Sequence, residues 1–171
     1  MSETAQATSS RPRHFRAGLL ALVAALALDQ AFKLWMLFSF DIGARGAVAI
    51  GPYLDLVLVW NTGISYGLFP QDSEAGRWAL IAIKLFASGL FGLWLFRAET
   101  RATALGLGFV ISGALGNAID RLLWGAVADF FSFHIGTLRW YVFNVADAAI
   151  VVGVGLLLYD GLLGPAAKKP A

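Results

Sequence analysis

Long apolar runs separated by short polar segments dominate the pattern along this chain. Four runs, at 17–40, 78–96, 102–119 and 143–163, have about the 20 helical residues needed to cross roughly 30 Å of hydrocarbon. The first run continues well past Asp29 and Gln30, which makes it too long for the apolar region of a cleaved signal peptide. The pattern predicts an all-α membrane protein with four transmembrane helices.

Two segments between these runs contain strand-forming residues. Leucine, valine and aromatic residues fill 53–60, while 131–135 and 138–142 flank a turn at Gly136 and Thr137. We therefore expect a small β element outside the helices. Its aromatic residues are suited either to the membrane surface or to a groove for an extended peptide.

Composition narrows the function classes. A chain of 171 residues with 58% hydrophobic and 14% charged residues cannot hide its apolar surface in one water-soluble core. The net charge of +2 does not indicate nucleic acid, because the basic residues are dispersed and mostly flank apolar runs. The absence of cysteine excludes a thiol nucleophile and a Cys-ligated zinc site. Because two histidines and scattered acids give no ligand spacing, we expect no metal and no other cofactor.

Basic residues in the short flanks predict the orientation. They precede the first run, separate the second from the third, and follow the fourth: Arg11, Arg13, Arg16, Arg97, Arg101, Lys168 and Lys169. By the positive-inside rule these segments are cytoplasmic. We expect cytoplasmic tails at 1–16 and 164–171, one membrane domain at 17–163, and extracytoplasmic loops at about 41–77 and 121–142, which hold the β element.

Small residues every fourth position form stripes on the first and third predicted helices, which favours close packing of the helices. The stripes are Ala17, Ala21 and Ala25 on one helix, and Ala104, Gly108, Ser112 and Gly116 on the other. They lead to Asp29 with Lys33, and to Asp120. The spacing of Asp29 and Lys33 suits a helical ion pair, either as a structural tie or as part of a catalytic site. Lys84 has no partner nearby in sequence, and snorkelling or a contact with another helix accounts for it.

The densest polar cluster is near the third and fourth runs. Helical spacing places Asn117, Asp120 and Arg121 on one face, and Asn144 with Asp147 on another. Asp129 is in the predicted outer loop between them and is expected to swing beside Asp147. Two such carboxylates activate water when one is protonated and the other ionised. From these residues alone, an aspartic protease, an ion relay and a structural pair all remain open.

Five blocks resemble the bacterial lipoprotein signal peptidase (signal peptidase II) family in their order along the chain. They are DQAFK at 29–33, NTGISYG at 61–67, GNAIDR at 116–121, VADF at 127–130 and FNVADAAI at 143–150. Each block alone is weak evidence, but five in order between the predicted spans are specific. The sequence departs from the usual family pattern at Ile64, Ser65 and Tyr66. We expect these differences only to adjust the activity.

The resemblance implies a membrane aspartic endopeptidase that cleaves prolipoproteins before a diacylglyceryl-modified cysteine. It implies that Asp129 and Asp147 are the catalytic dyad, and that Asp120 is not. Supporting roles follow by similarity: Asn61, Asn117, Asp120, Arg121 and Asn144 hold the dyad and the substrate, and Asp29 with Lys33 braces the bundle. The expected partners are lipid-modified prolipoproteins and membrane lipid. The enzyme is expected to be a monomer in the bacterial cytoplasmic membrane, with its active site on the extracytoplasmic side.

Two other interpretations compete with this one. A proton-coupled transporter would use Asp29, Lys33, Lys84, Asp120 and Asp147 as a relay, although four spans without an internal repeat argue against it. A structural membrane subunit is the other. His134 and Ser132 fit a hairpin surface better than a catalytic triad.

Overall fold

A computed structural model describes residues 14–63 and 73–164 of the chain. Within these residues, four helices are long and apolar enough to cross a membrane, which confirms the predicted fold class. They are α1 (Phe15–Leu34), extended by a π-helical segment (Trp35–Ser39), α3 (Glu74–Phe96), α4 (Arg101–Trp124) and α5 (Val145–Leu163); α2 (Ile42–Arg45) is one short turn. Among the residues named above, Arg11, Arg13, Ile64, Ser65, Tyr66, Lys168 and Lys169 lie outside the described part.

Local caps set the helix ends, several of which differ from the predicted boundaries. The α4 helix continues beyond residue 119 to Trp124, because Asp120 and Arg121 find polar partners inside the bundle, and it ends at Gly125 with φ +81°. The α5 helix begins at Val145, two residues later than predicted. Asn144 caps it by accepting a hydrogen bond from the Asp147 backbone N–H at 2.9 Å. The polar residues therefore lie at helix ends that meet the sheet.

The α4 helix is the centre of the bundle, and its small residues explain why. A side chain at Gly108 would meet the Gly18 carbonyl of α1, and one at Gly113 would meet the Ala146 carbonyl of α5. The stripe of small residues on α4 is buried along its whole length. This confirms the predicted close packing and brings α1 and α5 against opposite parts of one helix.

The β element is a four-stranded antiparallel sheet of order β1-β2-β3-β4. Its strands are β1 (Val48–Ala49), β2 (Leu54–Asn61), β3 (Val127–Ile135) and β4 (Leu138–Phe143). The predicted hairpin is confirmed, with Gly136 at φ +59° in its turn. Asp129, which was expected in the outer loop and able to swing beside Asp147, is inside β3 and paired with Val59 of β2. Its backbone is held by the sheet.

An apolar cluster fixes this sheet to the bundle. Met36, Ile42, Leu56, Ala128 and Phe130 form a buried core between the π-helical segment, α2 and the sheet. Ala128 and Phe130 are the two neighbours of Asp129 in β3, and both are fully buried. The packing of this core therefore determines where the Asp129 carboxylate lies.

Candidate active site

Asp129 and Asp147 are brought together around one residue, Asn144. The Asn144 side-chain amide donates to Oδ1 of Asp129 at 2.6 Å. Its backbone N–H donates to Oδ2 of Asp147 at 3.3 Å. Asp129 is only 2% exposed, whereas Asp147 is partly exposed in the first turn of α5. The site is thus entered from the side of Asp147.

The remaining oxygens of both carboxylates also accept from asparagines. Asn61, the last residue of β2, donates through Nδ2 to Oδ2 of Asp129 at 3.2 Å. Asn117 of α4 donates through Nδ2 to Oδ1 of Asp147 at 2.9 Å. Asn144 also donates to Oδ1 of Asn117 at 3.1 Å. Three amides from three elements therefore orient the pair of carboxylates.

The electrostatics of the pair favour a proton on Asp129. Its pKa is raised to about 7, first by burial of the carboxyl group and then by the negative charge of Asp147. The hydrogen bonds from Asn61 and Asn144 oppose this rise, because they stabilise the ionised form. Near neutral pH Asp129 can thus carry a proton, and two neighbouring carboxyl groups that share one proton can activate water.

A second polar network surrounds Lys33. Its Nζ lies 2.9 Å from Oδ2 of Asp29 and 2.8 Å from Oδ2 of Asp120, and all three side chains are almost fully buried. Gln30 joins the two acids, donating to Asp29 at 3.0 Å and to Asp120 at 3.3 Å. Lys33 Nζ also lies 3.5 Å from Oδ1 of Asn117, which connects this network to the dyad.

Both acids of the Lys33 network hold the backbone next to the dyad. Oδ1 of Asp29 accepts from the N–H of Ala146 at 2.9 Å, immediately before Asp147. Oδ2 of Asp120 accepts from the N–H of Ala128 at 3.1 Å, immediately before Asp129. Asp120 thus contacts the backbone beside Asp129, Asp29 reaches the site through α5, and Lys33 reaches it through Asn117 of α4.

Arg121 ties the first loop to α4. Its guanidinium donates to the Gly63 carbonyl at 2.5 Å and to the Asn117 carbonyl at 3.3 Å. The Nε of Arg121 is buried without a hydrogen-bond partner among the described residues. Arg121 therefore fixes the chain two residues after Asn61 and keeps one donor free beside the site.

The structure adds Gln30 to the residues anticipated from sequence. The available signal was a second polar residue directly after Asp29 in a membrane span. Lys84 is half-buried and within electrostatic reach of Arg121, Asp147 and Lys33, and it forms no hydrogen bond or ion pair with the described residues. His134 lies in the β3–β4 hairpin, 3.3 Å from Asp55.

The chain is similar in sequence to known proteins. A sequence model of the family described as "Signal peptidase (SPase) II" matches residues 21–163. The lipoprotein signal peptidase of Nitrobacter hamburgensis is 58% identical over 160 residues, covering 91% of this chain and 98% of the relative. That of Beijerinckia indica is 54% identical over 154 residues, covering 90% and 92%.

Solved structures share the fold. A bacterial membrane enzyme determined by the in meso method has a TM-score of 0.76 at 25% identity, covering 94% of this chain and 96% of its own. The resemblance carried by the five sequence blocks is therefore confirmed. The chain belongs to the signal peptidase II family.

Proposed function

We propose that Asp129 and Asp147 are the catalytic dyad of this lipoprotein signal peptidase, which removes signal peptides from prolipoproteins. The observation that carries the proposal is the contact of Asn144 with both carboxylates. In the proposed reaction, the bond cleaved precedes a cysteine that carries a diacylglyceryl group. The substrates are then lipid-modified precursors, and the product remains in the membrane by its lipid.

In the proposed reaction the ionised carboxylate of Asp147 takes a proton from a water molecule between the two acids. The water oxygen attacks the scissile carbonyl carbon, while protonated Asp129 donates to the carbonyl oxygen. Collapse of the tetrahedral intermediate breaks the C–N bond, as Asp147 gives its proton to the leaving amine and one hydroxyl of the intermediate returns a proton to Asp129, which leaves a carboxylic acid product. The raised pKa of Asp129 supports this assignment of the proton.

The supporting residues divide into two groups in this proposal. Asn61, Asn117 and Asn144 keep the carboxylate oxygens aligned, and Arg121 offers its free Nε–H to a substrate carbonyl. Lys33 forms ion pairs with both Asp29 and Asp120, and these acids hold the backbone before each catalytic residue. The second group acts by positioning and does not contact the substrate.

The family and the four spans make this a multi-pass protein of the bacterial inner membrane. We further propose that both termini are cytoplasmic and that the dyad faces the extracytoplasmic side. Arg16 lies at the N-terminus of α1, Arg97 directly follows α3 and Arg101 begins α4, all at the end of the bundle opposite the sheet. We also propose that residues 17–163 form a single protease domain that works as a monomer.

Replacement of the dyad in living bacteria tests the proposal. In cells whose only signal peptidase II is this chain, Asp129→Asn or Asp147→Asn should accumulate uncleaved, lipid-modified precursor at normal enzyme levels. Continued processing by both variants contradicts the dyad. The transporter alternative predicts instead that the same substitutions abolish solute uptake by proteoliposomes.

A further inference from the structure

Lys84 is a cation inside the bundle that the proposed reaction does not use. It lies on the face of α3 that packs toward α4, on one stripe with the buried residues Ile81 and Ser88. Its neighbours Ile83 and Leu85 are 64% and 48% exposed, whereas Lys84 is half-buried. The side chain is therefore turned toward other helices, which argues against snorkelling along the lipid-facing surface.

The packing of α3 on α4 places Lys84 beside the site. Near the start of α3, Nη1 of Arg77 lies 3.5 Å from the position of a Cβ atom on Gly125, at the end of α4. A short connection joins the two helices, so they run antiparallel. Lys84 is two turns further along α3 than Arg77, or about 10 Å. It is therefore level with the α4 segment that carries Asn117 and Arg121.

The charges around Lys84 are those of the site. Arg121, Asp147 and Lys33 all lie within electrostatic reach of its amine. Among the described residues, none forms a hydrogen bond or an ion pair with Lys84. The buried Nε of Arg121 also lacks a partner in this part of the chain. A cation in a membrane span is costly, and one without a fixed partner indicates a contact that forms during function.

Cleavage creates a new anion next to these cations, an argument that rests on the proposed function. The reaction converts the scissile carbonyl into a carboxylic acid at the C-terminus of the released signal peptide. At neutral pH this acid gives its proton to water, because an α-carboxyl group is ionised well below pH 7. The uncleaved amide is neutral, so only the product requires a counter-charge, and ionised Asp147 would repel it.

Lys84 approaches the site from within the membrane. It lies about 15 Å along α3 from Glu74, where this span begins, at 1.5 Å per residue. On the other side, Asn61 of β2 contacts Asp129 from the sheet. Because the central part of a signal peptide is apolar, its C-terminal end reaches the dyad from the hydrocarbon layer. The new carboxylate therefore forms on the side of the site where Lys84 lies.

We propose that Lys84, together with the Nε–H of Arg121, binds the C-terminal carboxylate that cleavage creates on the signal peptide. An ion pair with Lys84 stabilises the ionised form of this product. The ionised carboxylate does not react with the amine of the second product, so the peptide bond does not re-form in the water-poor site. Lys84 is a product-binding residue in this proposal and transfers no proton.

Two forms of the product peptide test the proposal. A synthetic signal peptide that ends before the cysteine, with a C-terminal carboxylate or a carboxamide, is measured as an inhibitor of diacylglyceryl prolipoprotein cleavage by the full-length enzyme in micelles. For wild type, the Ki of the carboxylate should be about tenfold lower than that of the carboxamide. Lys84→Met should bring the two Ki values within about twofold, whereas Lys84→Arg should keep most of the difference.

A matched control removes the same charge elsewhere. Arg97 directly follows α3 at its other end, and Arg97→Met should keep the wild-type preference for the carboxylate. The carboxamide shows whether the site stays intact, because its Ki should change by less than about twofold in Lys84→Met. If Lys84→Met keeps the wild-type preference, the assignment is overturned. Equal weakening of both peptides also overturns it, because Lys84 would then act on the structure of the site.

Oleate carries the same charged group on a lipid chain and distinguishes a lipid carboxylate from the peptide. In wild type, oleate should inhibit equally with and without Lys84. Inhibition by oleate that depends on Lys84 as strongly as that by the peptide carboxylate would overturn the assignment to the signal peptide.

The two proposals fail in different ways. If the wild-type enzyme cleaves the lipid-modified precursor but binds the carboxylate and the carboxamide equally well, the Lys84 assignment is wrong and the proposed function stands. If the wild-type enzyme cleaves no lipid-modified precursor, the proposed function fails and the Lys84 assignment fails with it.

Discussion

Asn144 donates its side-chain amide to Asp129 at 2.6 Å and at the same time caps the helix that begins with Asp147. One residue therefore fixes the end of β4, the start of α5 and the spacing of two carboxylates. In Asn144→Ala we expect a loss of about 1–2 kcal/mol of stability from the missing cap, and a fall of about 100-fold in kcat. Unfolding in detergent and steady-state cleavage measure the two effects.

Ser73→Ala is the matched control for Asn144. Ser73 caps α3 through a hydrogen bond from the Gly76 N–H at 3.1 Å, and it is exposed. This variant should lose a comparable cap with kcat unchanged within about twofold. If Asn144→Ala has the same kcat as Ser73→Ala, then Asn144 acts only as a helix cap and does not orient the two carboxylates for cleavage.

Lys33 is expected to be the most important charge for stability. Lys33→Met leaves the buried carboxylates of Asp29 and Asp120 without a cation, which should cost about 3–5 kcal/mol. Lys84→Met is the control, because Lys84 forms no ion pair with the described residues and should cost less than about 1 kcal/mol. Denaturant unfolding in micelles compares the two. Equal stability of the two variants would contradict the prediction that the Lys33 ion pairs stabilise the bundle.

Asn61 tunes the protonation of Asp129. Its hydrogen bond stabilises the ionised carboxylate, so Asn61→Ala should raise the pKa of Asp129 above its value of about 7. Because the mechanism needs Asp129 protonated, the alkaline limb of the kcat/KM profile should move to higher pH by up to about one pH unit. Trp60→Phe, a change at the neighbouring exposed residue, should not move it. If the alkaline limb of the Asn61→Ala profile moves to lower pH, Asp129 does not act in its protonated form.

The same carboxyl group should make stability depend on pH. The folded pKa of Asp129 is raised from 3.8 to about 7, so the folded protein holds this proton more tightly than the unfolded chain. Its stabilising contribution is fully present below pH 3.8 and is lost as the pH rises through about 7. Asp129→Asn should flatten the fall in Tm between pH 4 and pH 7. Identical slopes for this variant and wild type would mean that Asp129 titrates normally.

The helices were predictable from sequence because membrane spans depend on length and hydropathy, which are local properties. The hairpin was predictable for a similar reason, with Gly136 between two strand-forming segments. The pairing of β2 with β3 was not, since Asn61 and Val127 are far apart in the chain and no local pattern specifies their register. Asp129 was therefore expected in the outer loop and not within a strand.

The contacts that position Asp129 and Asp147 were only partly predictable from the sequence. Spacing indicated the Asp29–Lys33 pair, because both residues are on one helix. The bonds from Asp29 to the Ala146 N–H and from Asp120 to the Ala128 N–H involve backbone groups of alanines, which carry no side-chain signal.

The central claim is that Asp129 and Asp147 together perform the cleavage. Single-turnover cleavage of a defined diacylglyceryl prolipoprotein by purified wild type, Asp129→Asn, Asp147→Asn and Asp41→Asn tests it most directly, with Asp41 as an exposed aspartate outside the site. We predict that each dyad variant is folded and at least about a thousandfold slower, with Asp41→Asn unchanged. A folded dyad variant that cleaves within about tenfold of the wild-type rate would contradict the account.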